Sequence, residues 1–94
     1  MNLDKKTKRT EEEKDRLIKR LNIIEGQIRG ISQMISDDRY CDDVLIQISA
    51  VNNALKSLGN NILEMHLNSC VVRDIKQGNT EILADVMKLI KKLQ

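Results

Sequence analysis

Residues 44–72, VLIQISAVNNALKSLGNNILEMHLNSCVV, contain the pattern that decides the fold. Apolar residues recur there at alternating steps of four and three, which is the spacing of one face of an α-helix. The repeating positions are Val44, Ile48, Val51, Leu55, Leu58, Ile62 and Met65, with a return to the pattern at Val72 after Ser69. A second apolar flank lies beside them. Because Gly78 suits a helix C-terminus, we predict a second helix over about 42–76.

Similar patterns lie on both sides of this stretch. Thr10 and Glu13 have the spacing of a capping box, and an apolar seam from Leu17 to Ile35 follows, so a first helix is predicted over about 11–36. After Gly78, Asn79 or Thr80 can cap a third helix. The predicted fold class is all-α, with three helices per chain. The predicted organisation is a flexible basic tail over 1–9 and one helical domain over 10–94.

The composition agrees with long amphipathic helices. The 94 residues include no Pro, Phe or Trp and a single Tyr, and 32% are charged. No apolar run approaches the roughly 18 residues needed to span a bilayer, and the charged N-terminus lacks a signal-peptide core. We therefore expect a cytoplasmic protein with no membrane partner.

The second helix carries more apolar surface than the first helix alone can cover. An antiparallel dimer, in which the first two helices of each chain form a four-helix bundle, would bury both flanks. We therefore predict a homodimer, with a dimer of dimers as the larger assembly.

His66 and Cys70 are four residues apart and share one face of the predicted helix. The remaining thiol, Cys41, lies 29 residues before Cys70, which corresponds to roughly 43 Å along a helix. The three can meet only between chains, and antiparallel pairing places Cys41 beside His66 and Cys70 of a partner. The alternative is that each Cys is a small buried apolar residue and that the His is structural.

Two thiolates and one imidazole form a soft ligand set that favours Cu(I). Zn(II) remains open because Asp42, Asp43 or a water could supply a fourth ligand. Ni(II) and Co(II) prefer more nitrogen and oxygen donors, and the chain has one His. No set of nucleophile, base and orienting group is apparent, so we expect neither an enzyme nor a small-molecule substrate.

The net charge of +2 does not by itself indicate nucleic-acid binding. Basic residues cluster at the N-terminus, but acidic residues interleave with them, so a solvated helix face explains this pattern equally well. The basic residues of this region are Lys5, Lys6, Lys8, Arg9, Lys14, Arg16, Lys19 and Arg20.

Three stretches together resemble the CsoR (copper-sensitive operon repressor) family: RLNIIEGQIRGI at 20–31, RYC at 39–41 and QISAV at 47–51. The pair His66 and Cys70 completes the Cys-His-Cys pattern of that family, and the resemblance covers about residues 14–93. It implies a helical dimer of dimers that binds operator DNA and releases it when Cu(I) binds between subunits, which derepresses copper-export genes.

The resemblance also implies roles for individual residues. Cys41, His66 and Cys70 would be the copper ligands, and Tyr40 would belong to an outer shell that couples the metal to DNA binding. The outer shell of the family also includes a carboxylate of the third helix, for which Asp85 and Glu81 are both candidates, with Asp85 preferred. The expected DNA contacts are Arg20 and Lys56, with Arg16 and Lys19 as neighbours by position.

Relatives of this family sense other ligands. Nickel and cobalt sensors have a His in place of the second Cys and a further N-terminal His, whereas persulfide sensors lack the His. Formaldehyde sensors lack the second Cys. The ligand set favours Cu(I), and two alternatives remain: a thiol- or persulfide-responsive repressor of the same fold, and a helical interaction protein that does not bind DNA.

Overall fold

The computed structural model describes residues 6–93, which are almost entirely helical. The elements are α1 (Glu11–Ser36), α2 (Cys41–His66), a π-helical segment (Leu67–Val71), α3 (Val72–Lys76) and α4 (Ile82–Leu93). Since α2, the π-helical segment and α3 follow one another without a break, they form the predicted second helix. The all-α prediction with three helices is confirmed for the described residues. Within the predicted basic tail, residues 1–5, including Lys5, lie outside the described residues, and residues 6–9 are not helical.

The bounds of α1 are those predicted, because its end signals are local. The backbone N–H of Glu13 donates to the Thr10 hydroxyl at 3.1 Å, which caps the N-terminus. At the other end, Asp38 has a left-handed backbone with φ 57°. The N–H groups of Asp38 and Arg39 bond back to carbonyls of the last turn at 3.2 and 2.9 Å. This is a Schellman ending, in which an aspartate occupies the position usually taken by glycine.

The same motif ends α3, with Gly78 at φ 88° as predicted. The Gly78 N–H donates to the Ile75 carbonyl at 3.0 Å, and the Asn79 N–H donates to the Asp74 carbonyl at 2.9 Å. The predicted cap of the third helix was early, because α4 begins at Ile82. The N–H groups of Leu83 and Ala84 donate to the carbonyls of Thr80 and Glu81, both at 3.1 Å, and these i to i+3 bonds form one tighter turn at the start of the helix.

The described chain divides into two compact units, the first ending at Leu58 and the second beginning at Gly59. In the first unit, α1 and the N-terminal part of α2 form an antiparallel helical hairpin. A side-chain hydrogen bond joins the two helices, from Arg20 Nη2 to Ser57 Oγ at 3.2 Å. The buried apolar residues of this unit are Ile24, Val51 and Leu58.

In the second unit, α4 packs against the end of α2 and the π-helical segment. Its core consists of Val71, Ile82 and Val86, with Leu67 and Ile90 packed against them. At the other end of α4, a Cβ on Gly59 would lie 3.1 Å from Leu93 Cδ2, so the glycine permits this close approach. Because the start of α4 packs against Val71 and its end lies beside Gly59, α4 is antiparallel to residues 59–71.

Much of the predicted apolar seam is exposed in a single chain. The exposed seam residues of the first unit are Leu21, Ile28, Ile35, Ile48 and Leu55. Beyond Ser69, Val71 is buried, with 3% of its surface exposed, whereas the seam residue Val72 is 41% exposed, as those seam residues of the first unit are. No helix within residues 6–93 is both long and apolar enough to cross a membrane.

We predict that Gly78→Ala lowers the free energy of unfolding by about 1–2 kcal/mol, because a Cβ disfavours the left-handed backbone. Nothing lies within 4 Å of the added Cβ, so the cost comes from the backbone alone. Gly30→Ala is the matched control, since its Cβ also meets open space but its backbone is helical, and it should stabilise by about 0.5–1 kcal/mol. Urea unfolding at one fixed protein concentration measures both changes, and equal shifts would contradict the prediction.

Candidate metal centre

Two of the three predicted metal ligands lie close together in the sequence of the second unit. His66 is the last residue of α2, and Cys70 lies in the π-helical segment that follows it. Both side chains are half-buried, and the Cys70 thiol is free. The hydroxyl of Ser69 donates to the Met65 carbonyl at 2.7 Å and lies 3.7 Å from Cys70 Sγ. This part of the chain therefore provides an imidazole and a thiol about one helical turn apart.

The third predicted ligand, Cys41, belongs to the first unit. It is the first residue of α2, and its free thiol is exposed. It lines a shallow open groove together with residues of the α1–α2 connection and the first turn of α2: Ile35, Asp38, Arg39, Val44 and Leu45. Its neighbour Tyr40 has 67% of its surface exposed, so both side chains are accessible in a single chain.

Within residues 6–93, no three His, Cys, Asp or Glu side chains are grouped so as to hold a metal ion. One chain therefore offers the half-buried pair in its second unit and the exposed thiol in its first. The chemistry of the three donors suits a soft monovalent ion, since thiolate and imidazole are the ligands that Cu(I) prefers. The complete ligand set stays a prediction.

The two candidate outer-shell carboxylates flank the start of α4. Glu81 immediately precedes α4, and Asp85 lies in its first turn. Both are exposed, while their neighbours Ile82 and Val86 face Val71 in the core of the second unit. Antiparallel packing of α4 thus places both carboxylates at the level of the π-helical segment. Both Glu81 and Asp85 therefore stay candidates for the outer shell.

The predicted DNA contacts all lie in the first unit. Arg16, Lys19 and Arg20 share one face of α1 because they are three and four residues apart. Arg20 is half-buried and is held by Ser57, whose neighbour Lys56 is exposed. None of these cations pairs with a carboxylate among the described residues, whereas Lys14 and Arg29 pair with Glu11 and Glu25 on their own helix.

Sequence reasoning missed Ser57 and Ser69. Nothing in the apolar pattern marks Ser57, since its bond to Arg20 joins residues 37 positions apart. Ser69 did have a signal, because the four-three alternation skips it and resumes at Val72. A polar side chain at a break in a helical seam indicates a local departure from α-helical geometry.

The chain is similar to a family of repressors and to curated proteins within it. The family model described as "Metal-sensitive transcriptional repressor" matches residues 13–92. Among curated proteins, the copper-sensing transcriptional repressor RicR of Mycobacterium tuberculosis is 52% identical over 67 residues, which cover 71% of this chain and 70% of the relative. The copper-sensing transcriptional repressor CsoR of Bacillus subtilis is 44% identical over 85 residues, which cover 89% of this chain and 84% of the relative.

Two solved structures have a similar fold. The copper-sensing repressor CsoR with Cu(I) from Geobacillus thermodenitrificans matches with a TM-score of 0.88 and 45% identity, over 93% of this chain and 92% of that chain. The nickel-responsive transcriptional regulator InrS matches with a TM-score of 0.74 and 34% identity, over 95% of this chain and 98% of that chain. The chain thus resembles sensors of two different metals.

Proposed function

Because this chain belongs to the family of metal-sensitive transcriptional repressors, we propose that it is a Cu(I)-responsive repressor that binds operator DNA without metal and releases it when Cu(I) binds. The resemblance to the CsoR family is confirmed by the curated relatives and the similar structure. The matched family consists of regulators, and we propose no catalytic activity. The observation that carries the proposal is the half-buried pair His66 and Cys70 in one unit, with a free, exposed Cys41 in the other.

The proposed ligands fit Cu(I) better than Ni(II). Bound Cu(I) would supply a soft centre that two thiolates and one imidazole can satisfy, whereas Ni(II) prefers nitrogen and oxygen donors. The whole chain contains one His and two Cys. The similarity to nickel-responsive InrS makes this choice one that experiment must decide.

We propose that the site is completed by a second copy of the chain. In the first unit, apolar residues of both α1 and α2 are exposed, and their burial against another surface would be favourable. The groove beside Cys41 is open and is bounded by the exposed Ile35 and Leu45. An antiparallel homodimer with a four-helix bundle would cover these residues and bring His66 and Cys70 of the partner to Cys41. Pairs of such dimers would form a homotetramer in the cytoplasm. Its release from DNA would derepress copper-resistance or export genes.

We propose that the basic face of the first unit binds the DNA backbone. Arg16, Lys19 and Arg20 project from one face of α1, and Lys56 stands beside Ser57, to which Arg20 is bonded. Such cations neutralise phosphates and orient the protein on the duplex. The basic segment over 1–9 would add charge, and the helical domain over 10–94 would carry both functions.

The proposed coupling uses residues around the ligands. When Cys41 of one chain joins His66 and Cys70 of the other, the ends of two helices are drawn together, and the free nitrogen of His66 can engage Tyr40 or a carboxylate of α4. A ligand shifts DNA affinity only to the extent that it binds one arrangement of the dimer better than the other. The metal site and the basic face must therefore belong to one cooperative assembly.

The proposal predicts that Cu(I) releases the protein from DNA. A duplex selected by the metal-free protein from a random pool is labelled, and its binding is followed anaerobically by fluorescence anisotropy. One Cu(I) per chain should weaken DNA binding at least about tenfold, which corresponds to a coupling free energy near 1.4 kcal/mol. Arg20→Gln is the control: it should bind Cu(I) as the parent does but bind DNA weakly, because a phosphate contact is lost.

Adding other metal ions or polysulfide to separate samples of the protein–DNA complex distinguishes the alternatives. Release by Ni(II) or Zn(II) but not by Cu(I) would overturn the choice of metal, and release by inorganic polysulfide alone would favour the thiol-responsive repressor. If the protein binds no DNA even at low salt, the helical interaction protein is the better description.

A mixing experiment tests whether the site lies between chains. Cys41→Ala and Cys70→Ala should each bind Cu(I) poorly alone, because each removes one ligand from every site. When the two are unfolded and refolded together, half of the dimers are mixed, and each has one intact site, so about one tight Cu(I) per four chains should return. Each variant refolded alone is the control. A mixture that still binds no Cu(I) would contradict an intersubunit site.

The outer-shell proposal predicts a difference between two similar substitutions. Asp85→Asn should bind Cu(I) with parent stoichiometry but release DNA less effectively, by about tenfold, because the carboxylate no longer orients the imidazole. Glu81→Gln is the matched control and should behave as the parent. The same anisotropy titration measures both, and the opposite result would assign the role to Glu81.

A further inference from the structure

The π-helical segment Leu67–Val71 interrupts the α-helical hydrogen bonding between α2 and α3. Its bonds span five residues instead of four, so it inserts one residue into the turn. One inserted residue rotates all later positions by about 100° around the helix axis, because an α-helix has 3.6 residues per turn.

Apolar burial does not explain why this turn is present. Val71 is buried and Val72 is 41% exposed, and a straight α-helix would also place Val71 on the face of the half-buried Leu67, four residues earlier. Since both positions hold valine, burying one of them gives no preference for either arrangement. The π-helical arrangement also leaves Ile75 39% exposed while Asp74 beside it is half-buried. Another interaction must therefore stabilise the turn.

The Ser69 hydroxyl provides that interaction. It donates to the Met65 carbonyl at 2.7 Å, which is the carbonyl that the Ser69 backbone N–H would use in an α-helix. A side-chain bond of this kind satisfies the carbonyl and lets the backbone ladder open. The serine lies within the segment, at the position that the apolar alternation skips.

The same hydroxyl lies 3.7 Å from Cys70 Sγ. A hydroxyl has one hydrogen, which the shorter contact directs to the Met65 carbonyl, and Cys70 Sγ lies within the longer reach of a hydrogen bond to sulfur. Ser69 therefore contacts the residue before His66 and the Cys70 side chain. It thus links the backbone next to one proposed metal ligand with the side chain of the other.

We propose that Ser69 is a positioning residue of the metal site: its hydroxyl holds the π-helical turn and thereby sets where the Cys70 thiol stands relative to His66. Its importance for copper rests on the proposed function, whereas the hold on the turn is a property of the metal-free chain. Without the hydroxyl, the segment reverts to α-helix, and the angular position of the Cys70 thiol relative to His66 around the helix axis changes.

Three variants test this proposal. Ser69→Ala removes the hydroxyl, Ser69→Thr keeps it, and Asn68→Ala changes an exposed neighbour in the same segment. In the metal-free protein, NMR contacts and amide exchange of residues 66–72 report whether the π-helical turn persists. Cu(I) affinity comes from competition with a chelator, and X-ray absorption gives the numbers of sulfur and nitrogen ligands.

In Ser69→Ala we expect loss of the π-helical pattern, Cu(I) affinity lower by about tenfold and a weakened nitrogen contribution to the absorption spectrum. Ser69→Thr should restore all three, and Asn68→Ala should match the parent. A parent-like turn or parent-like copper coordination in Ser69→Ala overturns the proposal. If the parent itself binds no Cu(I), the proposed function fails, and the NMR result still decides whether Ser69 holds the turn.

Discussion

The apolar stripes of α1 and α2 exceed what a single chain can cover, and this excess is the constraint on which the proposed function depends. The first unit buries three apolar residues and leaves at least as many of its seam residues exposed. Exposed stripes of this extent favour association, because burial stabilises by about 25 cal/mol for each Å² removed from water. A sensor whose metal site lay in an interface formed by these stripes would connect metal binding directly to the geometry of the assembly. The Cys41 groove lies on the same unit as the basic residues proposed to bind DNA.

The sequence predicted the helices well because their end signals are local. The Thr10 cap and the glycine at 78 act within four residues of the helix ends they define, so they could be recognised without knowledge of the fold. The start of α4 was misplaced because a tight turn built from backbone bonds precedes it, and no side chain announces such a turn. The π-helical segment was missed for a different reason. Two adjacent valines make the apolar pattern compatible with either arrangement.

The candidate site could be predicted only in part. The spacing of His66 and Cys70 suggested a shared face, and the structure places both as half-buried residues of the second unit. The bonds of Ser69 and Ser57 were beyond prediction, since they depend on where backbone carbonyls and a distant arginine lie in three dimensions. The proposed joining of Cys41 to its co-ligands would require a second chain. The resemblance to copper sensors therefore supplies what one chain's geometry does not.

The two neighbouring valines also have an evolutionary consequence. Most changes to a metal site alter a ligand, which abolishes binding, or alter the core, which destabilises the fold. Here a hydroxyl that is neither ligand nor core bonds within the turn that carries Cys70, and the two valines that follow are of the same size and polarity. Mutation at this exposed position could retune the spacing of imidazole and thiol while the protein stays folded throughout. Such a position offers a lineage of sensors a gradual route to a different metal preference.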